Sequence, residues 1–175
     1  MARISSTATG ERLTAETFAR YRAKGGLVAI FSIPEDAVRA ALAHPLVMVA
    51  SDSVLRDGLG HPRSAGTNAR VLGVYVREQK VLPLMEAIRK LSLMPAQRLE
   101  RRVSAFRDKG RIRAGADADL TLFDPARVMD RSTYSAPATP PEGIPYVLVA
   151  GVPVVERGQV RRDLTPGRAV RAPLR

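Results

Sequence analysis

The stretch HPLVMVASDSVLRDGLGHPR, residues 44–63, constrains the chain more than any other. Leu46 to Ala50 is an apolar run rich in valine, and it leads straight to Asp52 and a glycine-bearing loop that closes on His61, Pro62 and Arg63. Such a run reads as a strand buried on both faces, the kind found in parallel sheets covered by helices. In α/β folds the loop beyond the carboxyl end of such a strand is where ligands meet chemistry. Asp52 is therefore the first candidate functional group. The residues before it complete the unit: LVAIFSI (27–33) reads as a strand, Pro34 opens a helix over 34–43 with two acids near its positive end, and His44-Pro45 closes it. This order predicts a right-handed βαβ crossover, with 27–33 and 46–50 paired in parallel and Asp52 at the carboxyl end.

Upstream, Thr14 is a candidate cap for a helix over 15–24 that Gly25-Gly26 stops, whereas residues 1–12 show no periodicity. Downstream, TNARVLGVYVREQK (67–80) and PLMEAIRKLSLMPAQRLE (83–100) carry helical spacing, with Leu84, Ala87, Ile88 and Leu91 on one face. The character changes near residue 110. GRIRAGADADLTLFD (110–124) and GIPYVLVAGVPVVERGQV (143–160) predict an antiparallel sheet over 112–123 and 146–160, with a tight Ala150-Gly151 turn and a proline-rich loop, YSAPATPPEG, between them. Asp117 and Asp119 read as shaping the turn into LTLF rather than as metal ligands. The chain thus divides into an α/β part, 1–108, and a β part with a basic tail, 109–175.

Composition excludes several classes of chemistry. There is no cysteine, so disulfides, thiolate metal sites and cysteine nucleophiles are ruled out, and His44 and His61 are the only imidazoles. No window approaches the ~18 apolar residues of a membrane span, and the first residues lack the apolar core of an export signal, so a cytoplasmic chain with no membrane partner is expected. The formal charge of +11 raises the question of nucleic acid. Its distribution argues against that partner: the arginines cluster in 97–113 and 161–175 without the interleaved aromatics that base stacking uses.

Five segments, HPLVMVASDS, GHPRSAGTNARVLGVYVRE, LMEAIRKLSLMPAQRLE, KGRIRAGADADLTLFDPARVMDRSTY and GIPYVLVAGVPVVERGQV, together resemble the carboxyl-terminal part of the N-acyl-D-amino-acid deacylases (D-aminoacylases) of the amidohydrolase superfamily. The resemblance implies an α/β fold: the last βα units of a metal-dependent-hydrolase (β/α)₈ barrel, followed by part of a small β-sandwich. It implies a hydrolase acting on carbon–nitrogen bonds other than peptide bonds, one that releases a carboxylate and a free D-amino acid. Asp52 matches the aspartate that stands beside the metal, itself a metal contact, and takes a proton from the attacking water. Arg63 matches the residue that holds the substrate α-carboxylate, with His61 and Gly66 in the same substrate loop. Where the family reads Ser-Asp-Gly, this chain has Ser51-Asp52-Ser53.

The intact family enzyme binds zinc through a His-x-His pair, two further histidines and a bridging side chain, often cysteine. Here there is no His-x-His pair and no cysteine, and His44 and His61 lie too late in the chain to match the family's histidines. A catalytic zinc takes about three protein ligands, so this chain by itself is expected to bind no metal. A barrel also takes ~250 residues, and about a hundred precede the β part. The expectation is a carboxyl-terminal fragment from a split, truncated or frameshifted gene, inactive alone. A separately encoded amino-terminal half would complete it, and exposed strand edges would invite association. The alternative is a non-catalytic remnant or binding module.

Overall fold

The computed structural model describes residues 3–6 and 9–172. Helix α1 (Ala15–Lys24) starts at a reciprocal cap: the Thr14 hydroxyl accepts the Thr17 N–H at 3.2 Å, and the Thr17 hydroxyl accepts the Thr14 N–H at 2.9 Å. Gly25 ends it at φ +73°. Helix α2 (Glu35–Ala43) follows Pro34, with Glu35 and Asp36 in its first turn and His44 at its end. Both helices lie where the sequence puts them.

The strand pairing around them does not. Strand β2 (Val28–Phe31) pairs antiparallel with β1 (Arg3–Ser6), a strand formed by residues that carry no periodic signal. Residues 46–50 form no strand among the described residues, so the parallel βαβ pair is absent. The run is not buried on both faces either. Val47 and Val49 are half-buried while Leu46 is 80% and Met48 39% exposed, the alternation of a segment lying on a single surface. Its backbone is satisfied by a helix instead of a ladder, as described below.

Two short strands, β3 (Leu55–Arg56) and β4 (Leu59–Gly60), make a small hairpin before helix α3 (Arg63–Arg70), which continues into a π-helical stretch, Val71–Glu78. Helix α4 (Leu84–Ile88) runs through a second π stretch, Arg89–Leu93, into α5 (Met94–Glu100). Leu42, Ala69, Leu72, Tyr75 and Ala87 form the buried cluster, with Leu84 and Leu91 packed against it. Val128 joins it from beyond residue 110, fully buried. Two glycines admit Val128: a Cβ on Gly73 would lie 2.6 Å from its carbonyl oxygen, and one on Gly143 would lie 2.5 Å from its nitrogen. Gly73→Ala is accordingly expected to lower the unfolding free energy by about 1–3 kcal/mol, the usual cost of overpacking, read from urea denaturation.

The β part forms a four-stranded antiparallel sheet of β5 (Leu120–Leu122), β6 (Tyr146–Val149), β7 (Val152–Glu156) and β8 (Gln159–Val160). The β6–β7 turn is the predicted Ala150-Gly151, with φ of +51° and +80°, the left-handed pair that a two-residue hairpin requires. Asp119 latches this turn. Its Oδ1 accepts the Ala150 N–H at 2.8 Å, and its Oδ2 takes a short hydrogen bond from Lys109, which also reaches Asp117 at 3.0 Å. The Lys109 ammonium, then the Ala150 N–H, hold the Asp119 carboxyl below its ordinary range. Stability from this latch is present above the ordinary carboxylate pKa and is lost as pH falls through the depressed value. Asp119→Ala should therefore flatten the acid limb of a stability–pH curve measured by denaturant titration.

Candidate active site

Asp52, His61 and Arg63 line a cleft of about 500 Å³ together with Leu27, Val28 and Val54. The segment that carries Asp52 is tied to the α4 helical run by a buried lysine. Lys90 has no exposed side-chain surface, and its ammonium donates to the carbonyls of His44, in a short bond, and of Val47 at 3.0 Å. The Lys90 carbonyl in turn accepts the Val49 N–H at 3.2 Å. Buried backbone groups need partners, and here one helix supplies donor and acceptor where a neighbouring strand was expected.

Past Val49 the chain turns at Asp52 itself, φ +44°, so the strain falls on the aspartate and not on the serine that follows it. Arg63 steadies this turn: its Nη2 donates to the Asp52 carbonyl oxygen at 2.5 Å. The Asp52 carboxylate stays 3.8 Å from the guanidinium and 95% exposed, open to the cleft. Ser53, the departure from the family's glycine, accepts the Ser64 hydroxyl at 2.5 Å. Gly66 does not line the cleft; it lies buried in α3, where a Cβ would come 2.5 Å from Ser132 Oγ.

His61 is locked by its two ring nitrogens. Nδ1 accepts the Arg63 backbone N–H at 3.1 Å, so in the neutral ring Nε2 carries the proton and donates to the Tyr134 hydroxyl, 2.8 Å away. With both nitrogens engaged, the ring orients the corner that carries Arg63. Burial, then the Arg63 guanidinium, lowers its pKa. The unfolded chain therefore binds this proton more readily; the stability is fully present above the ordinary imidazole value and is lost as pH falls below it. A His61→Gln variant should lose less stability than the parent between about pH 7.5 and about pH 5 in chemical denaturation.

Lys90 and Tyr134 are not among the sequence-derived candidates. Lys90 had a faint signal, a lysine three residues beyond Ala87 on the apolar face of the helix. Tyr134 had none, since it sits in a proline-rich loop far along the chain. Among the described residues, no three His, Asp or Glu side chains come together as a metal site. The residues present therefore do not fit the metal of the resemblance: Asp52 stands alone where about three ligands are needed.

The model of the Amidohydrolase family matches residues 3–155. This chain belongs to the amidohydrolase family. It is 40% identical over 157 residues to the N-acyl-D-glutamate deacylase of Alcaligenes xylosoxydans xylosoxydans, covering 90% of this chain and 30% of that protein. To the N-acyl-D-aspartate deacylase of the same organism it is 40% identical over 151 residues, 81% of this chain and 29% of the relative. The fold matches the crystal structure of the Bordetella bronchiseptica N-acyl-D-glutamate deacylase, complexed with zinc and a phosphonate mimic of the tetrahedral intermediate. There the TM-score is 0.83 at 34% identity, over 98% of this chain and 38% of the other. This amidohydrolase chain is thus a mixed α/β homologue of D-aminoacylases that spans about 30% of the length of the curated relatives it matches.

Proposed function

We propose that this chain is the proton-transfer and carboxylate-binding part of an N-acyl-D-amino-acid deacylase, completed by a polypeptide that carries the metal ligands. The observation that carries the reading is the Asp52–Arg63 pair. One guanidinium fixes the Asp52 backbone, which leaves the carboxylate open to the same cleft the guanidinium borders. Asp52 is the base that accepts a proton from the attacking water and returns it to the leaving nitrogen. Arg63 is the anchor for the substrate's α-carboxylate, which its planar fork grips with two parallel hydrogen bonds. Its present ion pair with Asp52 is exposed and weak, so an entering carboxylate displaces it at little cost. In this reading the α/β part supplies the last units of a hydrolase barrel, and the sheet supplies part of the sandwich beside it.

The need for a completing polypeptide is supported by exposed apolar side chains at two cavities. Leu27 (78%) and Val54 (69%) border the cleft. Met85 (71%) and Ile112 (92%) border an apolar groove of about 960 Å³ between the helices and the sheet. Such surface is what association covers. A non-catalytic role for the chain is supported by the missing ligand set, and the same experiment separates the two. The chain is mixed with the separately expressed amino-terminal portion of a close relative and zinc, and release of D-amino acid is followed. Turnover supports the deacylase reading; absence of turnover from a folded, associated complex supports the non-catalytic one. In the active mixture Arg63→Ala should raise KM and cut kcat/KM by about 10- to 100-fold, the effect of losing a charge-assisted bidentate contact.

A further inference from the structure

The corner that carries Arg63 is gripped from outside by a segment some seventy residues further along the chain. Ser132 Oγ donates to the Pro62 carbonyl oxygen at 2.7 Å, and the Tyr134 hydroxyl takes the His61 Nε2–H at 2.8 Å. The Tyr134 ring stands edge-on to the imidazole, with centroids 5.0 Å apart, and tilts against Phe31 at 5.2 Å; Phe31 in turn carries the Arg12 guanidinium 4.2 Å above its face. Close approach is possible because α3 has Gly66 there, whose missing Cβ leaves room for Ser132 and Asp130, and Arg70 reaches Asp130 at 3.5 Å. His61, Pro62 and Arg63 therefore each have their place set. Pro62 is held by Ser132 and the His61 ring by Tyr134 through Nε2, while the Arg63 N–H is held by Nδ1 of that ring.

We propose that Ser132 and Tyr134 are positioning residues for Arg63: the 130–135 loop fixes the direction from which the guanidinium meets a substrate carboxylate. This rests on the reading of Arg63 as the carboxylate anchor. A binding arginine must be held to within about half an ångström of its productive position, and its flexible side chain needs a fixed base to achieve that. The Tyr134 hydroxyl and the Ser132 hydroxyl contribute nothing to the chemistry themselves, so removing them should alter binding and spare the chemical step.

Two readings test this. In the isolated chain, ¹⁵N-resolved NMR should find His61 neutral with its proton on Nε2, and amide exchange at Arg63 should quicken by about tenfold or more in Tyr134→Phe while exchange in the β6–β7 hairpin stays unchanged. In the completed enzyme, Tyr134→Phe should raise KM by about five- to twentyfold with kcat within about twofold, the signature of lost uniform binding. If Tyr134→Phe does not fold, Ser132→Ala takes its place with the same expected split and a smaller rise. A proton on Nδ1, or unchanged Arg63 exchange in a folded variant, overturns the buttress whether or not the mixture turns over. A fall in kcat with unchanged KM overturns it as well. Failure of the mixture to turn over, with the NMR result as expected, leaves the buttress standing and removes only the deacylase reading.

Discussion

Asp52→Asn should lower kcat of the completed deacylase by about 10²- to 10⁴-fold, the range over which a positioned proton acceptor contributes. Asparagine keeps the shape of the side chain and, among non-glycine residues, tolerates the left-handed backbone that Asp52 adopts at φ +44°, so the turn and the Arg63 bond to the residue-52 carbonyl should survive. What it lacks is a site for the proton. KM should stay within a few-fold of the parent, because the carboxylate anchor Arg63 is untouched. Steady-state kinetics of the mixture measure both constants. An equal loss in kcat and affinity would instead mean that the substitution had displaced the loop.

Lys90→Met should destabilise the chain by about 2–4 kcal/mol, because methionine keeps the aliphatic stem but leaves two carbonyl oxygens, those of His44 and Val47, without their charged donor. This is the largest stability effect expected at any single side chain discussed above. It also reaches the site. Residues 44–49 have no strand partner among the described residues, so bonds from the α4 run, chiefly those of the Lys90 ammonium, hold the path to Asp52. Urea unfolding measures the loss, and faster exchange of the Val49 amide shows that it is centred on this segment. Lys90→Arg should not rescue it, since a buried site shaped for a single ammonium has no room for a planar fork.

These residues also show where the sequence was legible. Helices α1 and α2 follow from caps and stop signals that are local: Thr14 with Thr17, Gly25, Pro34 and His44 all act within a few residues. The β6–β7 hairpin was equally local, because a two-residue turn at Ala150-Gly151 between valine-rich runs leaves one solution. Residues 46–50 depart from the expected strand because an apolar run fixes neither how deeply it is buried nor what it packs against. The same five residues can sit in a parallel sheet or lie one-sided on a helix, and Lys90, more than forty residues away, decides between them. Strand β1 lay in a stretch with no pattern and formed because β2 offered it an open edge.

The site divides in the same way. Asp52, His61 and Arg63 were found as residues of one short loop, and they border one cleft. Their supports, Lys90, Ser132 and Tyr134, come from elsewhere in the chain and reach the loop through backbone carbonyls and a ring nitrogen, contacts that leave no trace in local spacing. Gly66, which the resemblance sets in the substrate loop, lies in α3, where its lack of a side chain admits Ser132 to the helix.

In the proposed reading this chain supplies a proton acceptor and a carboxylate anchor without the metal ligands that hydrolysis of an N-acyl-D-amino acid needs. The most direct measurement is release of D-amino acid from N-acyl-D-amino acids by the purified chain with excess zinc, alone and after addition of the amino-terminal portion of a relative. The expected result is a rate no faster than buffer for the chain alone, and turnover in the mixture that Asp52→Asn removes. Zinc-dependent turnover by the isolated chain that survives Asp52→Ala would contradict it.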